Sequence, residues 1–422
     1  MPVIRNPLFE EKLTPNSGKR TLYIVLFAQM ITAVGFSSIF PFLPFYVKSL
    51  GAASRLSIDL LTGLVFSSQA FTMMIASPLW GGLADRLGRK MMVERAMFGG
   101  ALLLGLMAFV RSAEELVLLR AVQGFVTGTI SASNALVASA VPRNRTGYAM
   151  GLLQVSMAAG VGIGPVIGGT IADAFGYRTV FFITSSLLIT AGLIVFFGVE
   201  EQFEPKKSAG GRNPGFWHQW RGILSATGVI IVYCLRFMNE LGRNILIPIM
   251  PLFFMSLIPH TERVNSFTGL AIGISMGAAA LASIFLGRLG DLVGHRRVLM
   301  VSFLSGAFFF FLQSRVSSGW QFVMLQVFAG ITLGGIVPGI SALLVQYTQP
   351  GEEGRVYGFD NSITSGARAL GPMFGVGIAV WLGFRVVFVF TALLSLMAGV
   401  LVARRIPNPV SGNHSRNVIN AP

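Results

Sequence analysis

The chain has 422 residues, of which 53% are hydrophobic and only 12% charged, with a formal net charge of +15. Soluble domains carry about 25% charged residues, so the composition argues against a soluble globular unit. It gives no case for a nucleic-acid partner either, because the basic residues sit in short segments between apolar runs.

Apolar runs long enough to cross a bilayer as helices recur along the whole chain. They are continuously apolar and do not alternate every second residue, which selects helices over a barrel. They predict an all-α membrane protein with spans over 21–45, 59–80, 91–110, 114–138, 148–172, 178–199, 222–253, 265–286, 298–314, 319–346, 356–381 and 384–403. The polar, charged beginning of the chain predicts no cleavable signal peptide. Spans 1 and 7 should bend near Pro41 and Pro248. Between spans 2 and 3 lies Gly81-Gly82-Leu83-Ala84-Asp85-Arg86-Leu87-Gly88-Arg89-Lys90, a turn in which glycines allow close helix approach. Asp85 can cap a nearby helix N-terminus, while Arg86, Arg89 and Lys90 suit an anionic lipid surface. A topology-setting basic turn with no further role is the competing reading, against which stands the weaker copy from Gly287 to Arg297 at the repeat distance.

Span 4 contains Arg120-Ala121-Val122-Gln123-Gly124. An arginine within hydrocarbon costs about 2.5–3.5 kcal/mol on insertion scales, so it should face the bundle interior with a partner, or else snorkel to an interface. Span 5 carries Gly160, Gly164, Pro165, Gly168 and Gly169, a small-residue face on which helices can touch backbone to backbone. Residues 200–221 lack a long apolar run and read as a linker, with a surface helix near Trp217 and Trp220. Span 7 holds Arg236, Asn239, Glu240 and Arg243. Arg236 and Glu240 are four apart on one helix face, and Glu240 is the acid nearest the middle of any span. A carboxyl there can load a proton on one side and release it on the other; a static Arg236–Glu240 pair is the competing reading. His295 reads as a loop residue, with no metal role. Asp360 in span 11 reads as a helix-start acid, and Arg368 as a partner for an anionic group. Gln123, Asn239, Gln326 and Arg368 are the candidate cavity residues. The single cysteine, Cys234, lies in an apolar run, so there is no disulfide framework. The tail from 405 to 422 reads as disordered.

The second half repeats the first. Gly35, Pro41 and Pro44 return 207 residues later as Gly242, Pro248 and Pro251, and Gly164, Pro165 and Gly168 as Gly371, Pro372 and Gly375. Gly81 and Asp85 return 206 residues later as Gly287 and Asp291. The domain plan is therefore a six-helix half over 1–199, a linker over 200–221, a second six-helix half over 222–404, and a tail. With the N-terminus cytoplasmic, 21 lysines and arginines fall in inner segments and 7 in outer ones. Both termini and the linker are therefore expected inside, and the halves should be parallel repeats about the membrane normal.

These motifs carry a family resemblance. Gly81 to Lys90 resembles the loop motif of the major facilitator superfamily, and Arg120-x-x-Gln123-Gly124 its span 4 motif. Gly160-x-x-x-Gly164-Pro165-x-x-Gly168-Gly169 resembles the span 5 motif of the drug:proton antiporters within it. Gly35-x5-Pro41-x-x-Pro44, Pro142 to Arg145 and Gly176-Tyr177-Arg178 look like the twelve-helix bacterial multidrug exporters. The resemblance implies a major facilitator fold in the cell membrane and export of lipophilic or cationic drugs in exchange for protons, by a monomer among lipids that needs no cofactor. Glu240, Arg120 and Arg236 would carry the proton coupling. Many such exporters have an acid in span 1 and this chain has none, which shifts coupling to Glu240 and Arg120. A narrow-specificity sugar or metabolite exporter, and a transporter-like receptor that moves nothing, stay open. There is no Gly-x4-Gly-Lys-Ser/Thr loop for ATP, and no residue set supports an enzyme.

Overall fold

A computed structural model describes residues 15–141, 146–201, 227–258, 263–347 and 353–406. The expected linker helix near Trp217 and Trp220, the Pro142 to Arg145 segment and the tail beyond 406 lie outside the described residues. Span 1 is Pro15–Ser38 followed by Leu43–Leu50, span 2 Ile58–Leu87, span 3 Arg89–Met107, and span 4 Ala113–Val126 followed by Thr129–Ala140. Span 5 is Thr146–Phe175, span 6 Tyr177–Gly198, and span 7 Thr227–Leu246 followed by Ile249–Leu257. Spans 8 to 12 are Val264–Val293, His295–Gln313, Gly319–Tyr347, Glu353–Leu382 and Phe384–Arg405.

Nine of these helices are long and apolar enough to cross a membrane, and the two pieces of span 7, bent by 46°, make a tenth among the described residues. The other two segments fall where the sequence places spans 3 and 4. Span 3 opens with Arg89, Lys90, Glu94 and Arg95, which lowers its hydropathy, and span 4 is broken.

The breaks have local causes. In spans 1 and 7 the helix stops at Pro41 and Pro248, where proline lacks the N–H and crowds the preceding turn. The apolar run of span 4 predicts a continuous helix, but the structure interrupts it. It ends at Thr127 and restarts after Gly128, whose φ of 150° only glycine adopts easily. Pro165, Pro338 and Pro372 sit inside unbroken helices. His295 is not in a loop: it opens span 9 and pairs with Asp291 at 3.1 Å.

Each half has two apolar cores, one toward each end of the bundle. The end at which Pro15 and Ile406 lie, the near end, is packed by Val25, Met92, Leu136 and Val195 in the first half and by Val232, Leu299, Phe303 and Val402 in the second. The far end is packed by Phe42, Tyr46, Leu61 and Phe181, and by Phe253, Phe254, Phe322 and Phe388. The duplication is visible here atom by atom. The Tyr46–Phe181 rings lie 5.2 Å apart, and their partners 207 residues later, Phe253 and Phe388, lie 4.8 Å apart.

Two helix pairs join the halves. Span 5 packs on span 8, where the Cβ of Met276 faces Gly162 and the backbone of Gly269 lies against Pro165. Span 2 packs on span 11, where Gly63 meets Met373 and Pro372. These contacts lie in the far half of the bundle, and Ile247 adds to them by packing on the far-end core of the first half. Toward the near end, Gly151 of span 5 and Gly287 of span 8 face open space.

Candidate functional site

Five charged side chains meet between spans 7 and 11. Span 7 presents Arg236, Glu240 and Arg243 within two turns of helix. Span 11 presents Asp360 and Arg368, eight residues and so about 12 Å apart along the axis. The sequence spacing suggests that Arg236 pairs with Glu240. The structure pairs them differently. Arg236 Nε lies 3.3 Å from Asp360 Oδ1. Glu240 Oε1 accepts from Arg243 Nη1 at 3.3 Å, and its Oε2 lies 3.9 Å from Arg368 Nε. Asp360 is seven residues into its helix, so it is not a helix-start acid; it serves as the counter-charge of an arginine on the neighbouring span.

The two ion pairs differ in kind. Arg236 and Asp360 have side chains 17% and 14% exposed, and both partners are confined. Glu240 is only 5% exposed, but its two arginines are 34% and 41% exposed. The carboxylate is thus buried while its cations reach open space. Arg368 also sits one turn from Pro372, which meets Gly63 across the seam. It therefore lies on the face of span 11 that looks toward the other half. Beside this acid, Asn244 of span 7 packs against Gly371 of span 11, and its Nδ2 donates within span 7 to the Glu240 carbonyl at 2.7 Å.

Arg120 is in the first half. It is 1% exposed, so it does not snorkel. Its Nε donates to the Val65 carbonyl of span 2 at 3.3 Å and its Nη1 to Gln123 Oε1 at 2.9 Å, while Nη2 has no hydrogen-bond partner. No carboxylate pairs with it among the described residues. Gln123 is fully buried. At the position 206 residues after Arg120, its repeat, Gln326 is 1% exposed and donates to Met250 Sδ at 3.7 Å. Asn239 is buried with its Nδ2 unpartnered. These three amides lie within the packed interior, whereas Arg368 reaches open space.

The span 5 glycines face two ways. Gly160, Gly164 and Gly168 lie against span 1, where a methyl at Gly168 would collide with the Ser38 carbonyl, and Ser37 Oγ donates to the Gly160 carbonyl at 3.2 Å. Pro165 and Gly169 face span 8 across the seam, with Gly169 against the Asn265 backbone. One helix thus locks into its own half along one edge and onto the other half along the next.

In the loop motif, Gly81, Asp85 and Arg86 lie within the last turns of span 2, and their side chains are outside what the structure describes. Gly88 makes the turn with φ 99°, and Arg89 and Lys90 open span 3. The carboxylate that caps span 3 is Glu201, just after span 6. It accepts from the Arg89 and Lys90 backbone N–H groups at 3.0 and 2.7 Å. Sequence reasoning missed it. The available signal was an acidic pair, Glu200 and Glu201, at the near end where helix N-termini need acceptors.

Comparison with known proteins agrees with this architecture. The sequence profile described as Major Facilitator Superfamily matches residues 25–236 and again 232–418. The multidrug resistance protein MdtG of Dickeya zeae (strain Ech586) is 32% identical over 388 residues, covering 90% of this chain and 92% of that protein. MdtG of Salmonella arizonae is 33% identical over 381 residues, covering 90% and 93%. Among solved structures, a bacterial homolog of the human lysosomal transporter Spinster, inward-facing and unoccupied, aligns with a TM-score of 0.76 at 14% identity, over 92% of this chain and 97% of that one. The human organic anion transporter MFSD10 aligns with a TM-score of 0.67 at 17% identity, over 92% and 100%.

Proposed function

The chain belongs to the major facilitator superfamily, and on that premise we propose that it is a multidrug efflux transporter driven by exchange with protons through Glu240. The observation that carries the coupling is the position of that one acid. Its carboxylate is buried, yet it is bounded by Arg243 and Arg368, both of which reach open space. Protonation cancels both ion pairs at once. It releases Arg368 from span 7, on the face of span 11 that meets span 2. Deprotonation restores the pull. A proton can therefore alter how span 11 is held, which is the link an antiporter needs between loading and rocking of the halves.

The seam contacts supply the rest of the cycle. The lysine and arginine count supports a reading in which the near end faces the cytoplasm, with both termini and the linker, in a cell that carries the protein in its inner or plasma membrane. The halves are then in contact on the outer side and flanked by open space on the inner side, a state ready to load from the cytoplasm. Arg120 is the second coupling candidate: an arginine buried without a carboxylate raises the affinity of its surroundings for negative charge. Arg236 acts through its hold on Asp360. The protein works as a monomer, since each chain contains both halves of the seam.

Lipophilic drugs are the expected cargo, with cations among them by resemblance. A specific observation favours a second reading, in which anionic molecules are carried. The cluster contains three guanidiniums against two carboxylates, which leaves one positive charge over. The test is efflux of ethidium, a cation, and of a fluoroquinolone, which bears a carboxylate, from cells expressing the chain. Loss of efflux with an uncoupler and with Glu240→Gln supports proton exchange through Glu240. Full gradient-driven transport by that variant refutes it. A fluoroquinolone is a zwitterion, so its efflux without that of ethidium excludes a cation-only exporter, and efflux of a purely anionic dye beside it selects the anionic reading; efflux of none of these points to a narrow-specificity exporter.

A further inference from the structure

Span 8 begins without a cap of its own. The residue before it is Arg263, whose side chain makes no capping hydrogen bond. The first turn of a helix exposes N–H groups that need an acceptor. The matching helix of the first half, span 2, solves this internally: Ser57 caps it by accepting from the Leu60 backbone N–H. In span 8 the acceptor comes from the other half. Asp173, in the last turn of span 5, accepts from Ser266 N–H at 2.7 Å and Ser266 Oγ at 2.5 Å through Oδ2, and from Asn265 Nδ2 at 2.6 Å through Oδ1.

Asp173 is otherwise badly placed. A carboxylate in the last turn of a helix faces the negative end of its own dipole. The start of span 8, a positive helix end with two polar side chains, offsets that conflict. The repeat shows that the contact is made on one side only. The residue 207 positions after Asp173 is Val380, which is 57% exposed, and the opposite seam is closed by Gly63 against Met373 and Pro372 without charge. Tyr177, at the start of span 6, faces Asn265 beside the same carboxylate. Lifting span 8 from span 5 therefore breaks three charge-assisted hydrogen bonds and uncaps a helix.

We propose that Asp173 is the latch of the far-end gate: by capping span 8 across the seam it holds the halves closed there, and it must release in each transport cycle. The latch rests on the reading of the chain as an alternating-access transporter.

The test uses the full chain in lipid nanodiscs. Cys234 is replaced by serine, and spin labels are placed at Lys48 and Arg315, both exposed at the far end. Distance distributions give the ratio of far-open to far-closed molecules. Asp173→Ala should raise that ratio at least about tenfold, the equivalent of one charged hydrogen bond. Ser266→Ala, which removes only the hydroxyl donor, should raise it about threefold. If Asp173→Ala does not fold, Asp173→Asn, which keeps the shape but not the charge, and Ser266→Ala decide the outcome. Distributions unchanged in folded Asp173→Asn and Ser266→Ala protein overturn the latch. Efflux assays on the same variants separate the two readings. An unchanged distance ratio with intact wild-type efflux sinks the latch alone. A shifted ratio in a chain that exports nothing leaves the cross-seam cap of span 8 standing but sinks the transport reading, and with it the requirement that the cap release in each cycle.

Discussion

Asp360→Asn tests the division of labour between the two buried acids. Asp360 faces Arg236 at 3.3 Å with both side chains largely buried, and neither the Arg236 Nε nor the Asp360 Oδ1 makes an aligned hydrogen bond. The pair is therefore mainly electrostatic. Removing one partner of a buried pair costs about 3–5 kcal/mol, because the other is left charged and unpaired. Partial exposure and imperfect alignment place this case at the low end, about 3 kcal/mol. For a unit of roughly 150–250 residues, each kcal/mol moves Tm by about 2–4 °C, so Asp360→Asn should melt about 6–12 °C lower. Removing both charges with Arg236→Met and Asp360→Leu together should recover most of that loss, since no charge is left stranded. The assay is thermal unfolding in detergent of the wild type, Asp360→Asn, the singles Arg236→Met and Asp360→Leu, and the double variant, beside efflux per folded molecule. A brace predicts strong non-additivity in Tm and efflux that follows the amount of folded protein. If the single variant melts like the wild type, or if the double loss equals the sum of the singles, the reasoning fails. If the double variant is stable but no longer responds to the proton gradient, Asp360 belongs to the coupling machinery and not to the scaffold.

Other outcomes follow from the same geometry. Gly168→Ala forces a methyl against the Ser38 carbonyl, and overpacking of this kind costs about 1–3 kcal/mol; a lower unfolding midpoint checks it, and an unchanged midpoint shows that spans 1 and 5 can separate freely. Glu201→Gln removes the charged cap of span 3 and should cost about 0.3–1 kcal/mol, measured as a stability loss that shrinks as salt rises. Arg120→Met removes a desolvated charge that lacks a carboxylate partner but leaves the buried Gln123 Oε1 without its donor, so the two effects oppose and the unfolding midpoint should move by only a few degrees. Gradient-driven efflux should fall at least tenfold if Arg120 takes part in coupling, and efflux per folded molecule equal to wild type rejects that role. Arg368→Gln should leave Tm within a few degrees, because Arg243 still neutralises Glu240 at 3.3 Å, while changing the pH dependence of efflux; an unaltered pH profile separates Arg368 from the coupling step.

Sequence alone determined what depends on composition and short-range spacing. Apolar runs fixed the helical class, prolines fixed the breaks at Pro41 and Pro248, and the 207-residue repeat fixed the two-half plan. The loop and span 5 motifs fixed the family, because a membrane environment leaves few ways to satisfy a backbone and fewer to pack helices closely. Which charge meets which was decided only by tertiary structure. Arg236 and Glu240 share a helix face, but the rotation of span 7 against span 11 gives Arg236 to Asp360 and Glu240 to Arg368, across 124 and 128 residues of chain. Glu201 capping span 3 and Asp173 capping span 8 are equally long-range: the acidic pair Glu200 and Glu201 marks a possible acceptor without naming its helix, and no local pattern marks Asp173. Even the break in span 4 depended on context, since Gly128 could have continued the helix. Helix existence is a local property of side chains and backbone, whereas partners are selected by the relative placement of helices that the whole bundle sets.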